Sequence, residues 1–234
     1  MESRFIWRVS SHTMPPLLLS MFQCIVKIDE SYDLKIMKKD LEKDISVQVK
    51  AFAPGSLGFV IKDDIFQIGS LSVKLAVNNM NVSILMFKNK TLKISGGLNR
   101  MEANTFTNDT FDTYLQNSVI KPILDILFTK KDVIWQVQKK MINGSLFRET
   151  PIGKSNYLSF ITKIKNKFQT QHVILPEVMQ TQGKKRGRIC AVKVKHHGGQ
   201  GTFAVDHSGK VQFFAYNDVE HMCLHASQLE EVWV

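Results

Sequence analysis

Two copies of one strand–turn–strand pattern, set 119 residues apart, constrain this chain more than any other feature. The first occupies residues 82–97, VSILMFKNKTLKISGG. Val82, Ile84 and Met86 alternate with Ser83, Leu85 and Phe87, the period of a strand whose two faces meet different surroundings. Lys88-Asn89-Lys90 supplies a turn, after which Leu92 and Ile94 alternate with Thr91, Lys93 and Ser95. One face is apolar and packs. The other offers an aromatic ring, a lysine and a hydroxyl, which suits a polyanion better than a core. The second copy is residues 201–216, GTFAVDHSGKVQFFAY, where Asp206 falls on Phe87 and Gln212 on Lys93. The same shift sets Ser72-Val73-Lys74-Leu75 on Ala191-Val192-Lys193-Val194, and a helical pattern follows each hairpin. A repeat of roughly 100 residues is too long for a solenoid and predicts a pseudo-symmetric pair of units.

The rest of the chain fits that division. Residues 1–20 carry no periodicity and read as a tail. Residues 21–28 alternate as a strand with Phe22, Cys24, Val26 and Ile28 on one face. Asp33 is placed to cap a short helix with Leu34, Met37 and Leu41 on one side. Residues 45–52 form a strand stopped by Pro54-Gly55, residues 57–68 favour strand over helix, and residues 70–77 form a strand ahead of the turn Asn78-Asn79. Residues 99–109 read as a polar loop. Residues 110–128 form a helix striped by Phe111, Leu115, Val119 and Ile126, with Pro122 kinking it or starting a second segment. Residues 130–132 link the units.

In the second unit, residues 133–139 form a strand, with Val133, Trp135 and Val137 facing one way and Ile134, Gln136 and Gln138 the other. Residues 155–168 form a helix with Tyr157, Ile161, Ile164 and Phe168 inward. Residues 173–182 are mixed, with room for a short strand, and residues 189–195 form another strand. Asn217 caps the last helix with Glu220 as its box partner, burying Val219, Met222, Ala226, Leu229 and Trp233. The organisation is therefore a tail at 1–20, one repeat at 21–130 and a second at 131–234. The fold class is α+β: strand–helix–strands–helix, twice, as one long curved antiparallel sheet with helices on one side and its other face bare.

Charge points to the partner. The chain carries +10, and residues 131–217 hold 15 Lys/Arg against 4 Asp/Glu, which indicates an anionic ligand. Cys24, Cys190 and Cys223 are scattered and odd in number, the pattern of a reducing compartment. No apolar run reaches the length of a membrane span, so no membrane association is expected. The sequons at Asn81, Asn89, Asn108 and Asn143 read as chance.

Here the sequence resembles the TATA-box-binding protein family. The resemblance rests on the duplicated layout and locally on FKNKTLKISGG (residues 87–97) and DHSGKVQFFAY (residues 206–216). His207-Ser208-Gly209-Lys210-Val211 is similar to the family's turn, and Ile94-Ser95-Gly96-Gly97 to its strand end. It covers about residues 21–233 and resembles the versions carried by large DNA viruses. The implied fold is a saddle whose concave sheet sits on a widened minor groove, with phenylalanine pairs wedged between base steps. Phe87 matches one wedge, its partner position falls on Ser70 (Leu71 or Leu57 in another register), and the second unit's equivalents are Ile189 and Asp206. Asp206 departs from the pattern, and Phe203 or Phe214 are the residues that would compensate. Gln23 and Gln136 or Gln138 stand where the family has central asparagines.

The residues expected on the DNA-binding face are Leu85, Phe87, Lys93 and Ser95, then Gln136, Gln138, Lys193, Lys195, Lys210, Gln212 and Phe214. The resemblance implies an A·T-rich promoter duplex, a B-type transcription factor and RNA polymerase as partners. It implies no cofactor, metal or small-molecule substrate, and a location in the nucleus or a viral factory or virion. Other readings stay open. Phe87 has a reading as ordinary core, and Phe213 reads as core by its parity with Val211. Lys184–Arg188, KKRGR, reads equally as an import signal, a solvated loop or a phosphate clamp. His221-x-Cys223-x-His225 has metal-like composition, but on a helix the cysteine points away from both histidines. No nucleophile elbow, phosphate loop or paired-carboxylate motif is present, so an enzyme is not expected.

Overall fold

The structure is a computed structural model that describes residues 15–54, 68–129, 132–149, 151–152, 154–168, 172–174, 192–195, 201–206 and 208–233. The first half runs β1 (Leu18–Ile28), α1 (Leu34–Leu41), β2 (Gln48–Phe52), β3 (Ser70–Val77), β4 (Met80–Phe87), β5 (Thr91–Glu102), α2 (Asn108–Tyr114) and α3 (Lys121–Leu127). The second runs β6 (Trp135–Phe147), α4 (Lys154–Lys167), β7 (His172–Ile174), β8 (Val192–Lys195), β9 (Thr202–Val205), β10 (Lys210–Tyr216) and α5 (Val219–Trp233). The strands form a single antiparallel sheet in the order β2-β3-β4-β5-β1-β6-β10-β9-β8-β7. That order reads the same outward from the β1–β6 pair in either direction, so the two halves are related by a pseudo-twofold at the sheet's centre. This is the two-repeat α+β saddle layout expected above.

One parity of each strand builds the core. Phe22, Cys24, Val26 and Ile28 of β1, Val82, Ile84 and Met86 of β4, and Val211 and Phe213 of β10 are all fully or nearly fully buried with the helix stripes. Phe111, Leu115, Val119, Ile123 and Leu127 cover the first half, and Tyr157, Ile161, Ile164, Met222, Ala226 and Leu229 the second. At about 25 cal/mol per Å² of apolar surface, that one-sided burial is what holds the sheet to its helices.

Several elements depart from the sequence reading, each for a local reason. β1 begins at Leu18, three residues into the expected tail, because Leu17 and Leu19 bury their side chains beside the second half. β2 begins only at Gln48; Ile45 is fully exposed and Asp44 closes a turn onto Ser46. β6 continues eight residues past its expected end, through Asn143-Gly144, a pair that reads as a turn. A Cβ on Gly144 would stand 2.8 Å from Met222 Sδ and 3.2 Å from the Leu18 carbonyl, so glycine lets α5 approach the strand. Asn143 Oδ1 accepts the Ala215 N–H at 2.9 Å, at a bulge in β10 where Ala215 has φ +57. Pairing of β10 with β6 stops at Ile142, leaving residues 135–141 of β6 bonded to β1 on one side.

The expected helix at 110–128 begins instead at Asn108, capped by a Thr107–Thr110 box. It passes through a wide turn at Leu115–Ile120, where the Lys121 N–H reaches back five residues to the Gln116 carbonyl. Pro122 has no N–H for the Ser118 carbonyl, and Asn78 Nδ2 donates to that carbonyl at 2.7 Å instead. α5 is capped by Asp218, whose Oδ1 accepts the His221 N–H, and not by Asn217. The stretch 57–67, the run 184–188, and Ile189 lie outside the described residues.

Candidate nucleic-acid interface

The parity that faces away from the helices can be followed strand to strand through the pairing register. One row crosses β2 to β6 as Phe52, Ser70, Phe87, Thr91, Lys27, Gln136. The next is Lys50, Ser72, Leu85, Lys93, Ile25, Lys139. A third is Gln48, Lys74, Ser83, Ser95, Gln23, Met141. In the second half, Lys193, Ala204, Gln212 and Ser145 form one row, and Lys195, Thr202 and Phe214 another. Lys210 pairs with Phe147 at the end of β6.

Ten of the eleven residues proposed from sequence therefore share this face: Leu85, Phe87, Lys93, Ser95, Gln136, Lys193, Lys195, Lys210, Gln212 and Phe214. Gln138 does not join a row. It sits in a bulge of β6, between Val137 opposite Val26 and Lys139 opposite Ile25. Phe87 is half-buried on the open side and is not core. Phe213 and Phe203 are fully buried on the helix side, so Phe203 cannot stand in for a ring at position 206; Leu71 is likewise buried. Phe214 is 37% exposed on the open face.

Sequence reasoning missed part of the surface. Lys27, Lys50 and Lys74 share the open parity of their strands, and alternation alone was a sufficient signal for them. Lys139 was hidden by the bulge at Gln138, and Phe147 by the apparent turn at Asn143-Gly144. Met21 and Phe147 are exposed large apolar side chains on this face, at 40% and 58%. Ser95 Oγ lies 3.4 Å from the Ser83 carbonyl in the middle of the first half.

Eight exposed lysines among the described residues point from this face: Lys27, Lys50, Lys74, Lys93, Lys139, Lys193, Lys195 and Lys210. Among the described residues, no carboxylate stands at a strand-interior position: Glu102 ends β5, Asp29 follows β1 and Asp206 follows β9. Asp206 is occupied locally: its Oδ1 accepts the Ser208 N–H at 2.9 Å and its carbonyl accepts from Gly209. Asp206 is thus an aspartate that builds the β9–β10 turn. The acidic groups that meet strand cations do so on the helix side, where Asp112 pairs with Lys140, and Glu230 with Arg148 at 2.9 Å. A groove of about 460 Å³ runs between residues 135–140 of β6, of both parities, and the end of α2 with the wide turn after it, where Asp112, Leu115, Gln116 and Ile120 line it.

His225 is buried, with Nδ1 3.0 Å from the Tyr216 hydroxyl, and its ring is 4.5 Å from that of His221. Burial pushes the Cys223 thiol up to about 11, with Glu220 and Asp218 adding to the shift. That is the opposite of what a metal-binding thiolate needs.

Fold and face together define a class: a sheet platform backed by helices, whose other side, among the described residues, is uncovered and carries cations, amides, hydroxyls and a few apolar side chains. No family model and no curated protein matches the chain. Among solved structures it is similar to Methanococcus jannaschii TBP, at 12% identity over 93% of this chain and 99% of that chain, with a TM-score of 0.46. A likeness at that score lends no weight of its own, and the architecture stands on strand order and register.

Proposed function

We propose that the protein is a TATA-binding-protein-like initiation factor that lays its open sheet face on A·T-rich duplex DNA and bends it. Its helix side is then free to recruit a B-type transcription factor and RNA polymerase, and it catalyses no reaction itself. The observation that carries this reading is the composition of the open face, eight lysines with no carboxylate at a strand-interior position among the described residues. Such a face gains affinity by releasing phosphate counterions. Gln23, Gln136, Gln212 and the serines between them are donors suited to the acceptors that A·T pairs show in the minor groove. Phe87, Phe52 and Phe214 supply apolar rings for a base step opened by bending, at a cost of a few kcal/mol offset by wider contact.

The test is a gel-shift and a fluorescence-transfer bending assay on matched A·T-rich and G·C-rich duplexes at low salt. The reading expects tighter binding and a bend on the A·T-rich duplex, both weakened by Phe87→Ala with Lys210→Ala. It fails if no duplex binds, or if the double variant behaves as the parent.

A second reading keeps the fold without DNA recognition, as an interaction scaffold in a transcription or virion complex. It is favoured by Asp206, a turn-building carboxylate where the family resemblance expects a ring. Capture of polymerase components by a protein with no affinity for DNA would support it.

A further inference from the structure

We infer that Tyr32, in the loop between β1 and α1, is a positioning residue that fixes how Phe87 is presented on the open face. This rests on the reading of that face as the DNA-binding surface. Phe87 is the last residue of β4, and a ring at a strand end is aimed only as well as its backbone is held. The Tyr32 hydroxyl donates to the Phe87 carbonyl. Its ring is anchored in turn against Phe128, with centroids 5.7 Å apart, and Phe128 is only 6% exposed at the end of α3. The core is therefore linked through one side chain to the peptide unit that carries the exposed phenylalanine.

Neighbouring bonds make this a latch and not an isolated contact. The Ile28 N–H donates to the Lys90 carbonyl at 3.0 Å, and Lys90 Nζ donates to the Asp29 carbonyl at 2.7 Å. Lys90 itself holds φ +63, so the turn after Phe87 is a specific geometry that needs support. The Asp29 N–H donates to the Ile134 carbonyl at 3.0 Å, which ties the same loop to the start of the second half. Burial pushes the Tyr32 phenol up to about 12, with the bond to Phe87 pulling the other way, so the hydroxyl remains a donor at neutral pH.

The experiment compares the parent, Tyr32→Phe and Phe87→Ala on an A·T-rich duplex with 2-aminopurine placed at successive adenines. Amide exchange at residues 88–91 and the thermal midpoint are followed in the free proteins. Tyr32→Phe keeps the ring on Phe128 and loses only the hydroxyl. The inference expects near-parental melting, faster exchange confined to residues 88–91 and a reduced 2-aminopurine signal. Affinity should fall about fivefold, the equivalent of one net hydrogen bond, with an unchanged salt slope. Parental exchange and a parental signal in Tyr32→Phe, beside a lost signal in Phe87→Ala, overturn the role given to Tyr32. A parental signal in Phe87→Ala, or no signal in the parent, instead overturns Phe87 as a DNA contact and the inference with it.

Discussion

Gly209 has φ +88, and a Cβ there would lie 2.5 Å from the Arg148 carbonyl oxygen, whose own N–H donates to the Gly209 carbonyl at 3.1 Å. Both the torsion and the contact exclude a larger residue. Gly209→Ala should cost about 1–3 kcal/mol, seen as a lower urea midpoint with an unchanged slope. The single buried thiol of β1 gives a second expectation. Burial raises Cys24 from 9.0 to about 12, so the folded state resists its ionisation. Because the folded value lies above the unfolded one, this contribution is complete below pH 9 and is lost as pH climbs toward 12. Tyr216 is raised by burial as well and acts in the same direction at higher pH. The thermal midpoint should therefore hold level from pH 7 to 8.5 and fall above pH 9, and it should fall less steeply in Cys24→Ala.

At the scale of elements, the two halves are joined by a cap supplied in trans. Asn108, the first residue of α2, accepts the Val219 and Glu220 N–H groups at 2.9 and 3.3 Å and donates to Glu220 Oε2 at 2.8 Å. It thereby serves the start of α5 from the opposite half. Asn108→Ala should cost about 1 kcal/mol by urea unfolding, within the range for a lost cap. In a cycle with Glu220→Ala the two losses should be less than additive. No sequence reader would place that cap, since the partner is 111 residues away. What was legible was periodic: β3, β4, β10 and residues 91–97 of β5 match the alternation, and so do the helix stripes of α4 and α5. β5 runs on to Glu102 through residues read as loop, because Met101 and Glu102 pair with Leu19 and Leu18. What was not legible depended on the third dimension. Asn143-Gly144 reads as a turn until α5 is seen to need the missing Cβ, and Asn217 reads as a cap until Asp218 is seen to fill that place. The candidate surface followed the same division: strand parity brought ten of the eleven named residues to one face, while a bulge displaced Gln138.

At the scale of the molecule, the sheet separates chemistry by side. Helices and ion pairs such as Lys140–Asp112 and Arg148–Glu230 lie behind it, and the lysines of the strand rows lie in front. Among the described residues the front of the sheet carries no helix, and it exposes single apolar side chains such as Met21, Phe147 and Phe214 between the lysines. A basic chain alone gives nonspecific attraction for polyanions from any direction. The proposed function is more specific than that, since it has the front lysines meeting the phosphates. The most direct test is the salt dependence of duplex binding for two paired variants, Lys93→Ala with Lys193→Ala in front and Lys39→Ala with Lys165→Ala on the helices behind. The front pair should lower the log–log slope by about 2, near 0.9 per phosphate contact, while the rear pair leaves it unchanged. Equal slopes for the front pair and the parent, or a loss confined to the rear pair, would contradict the account.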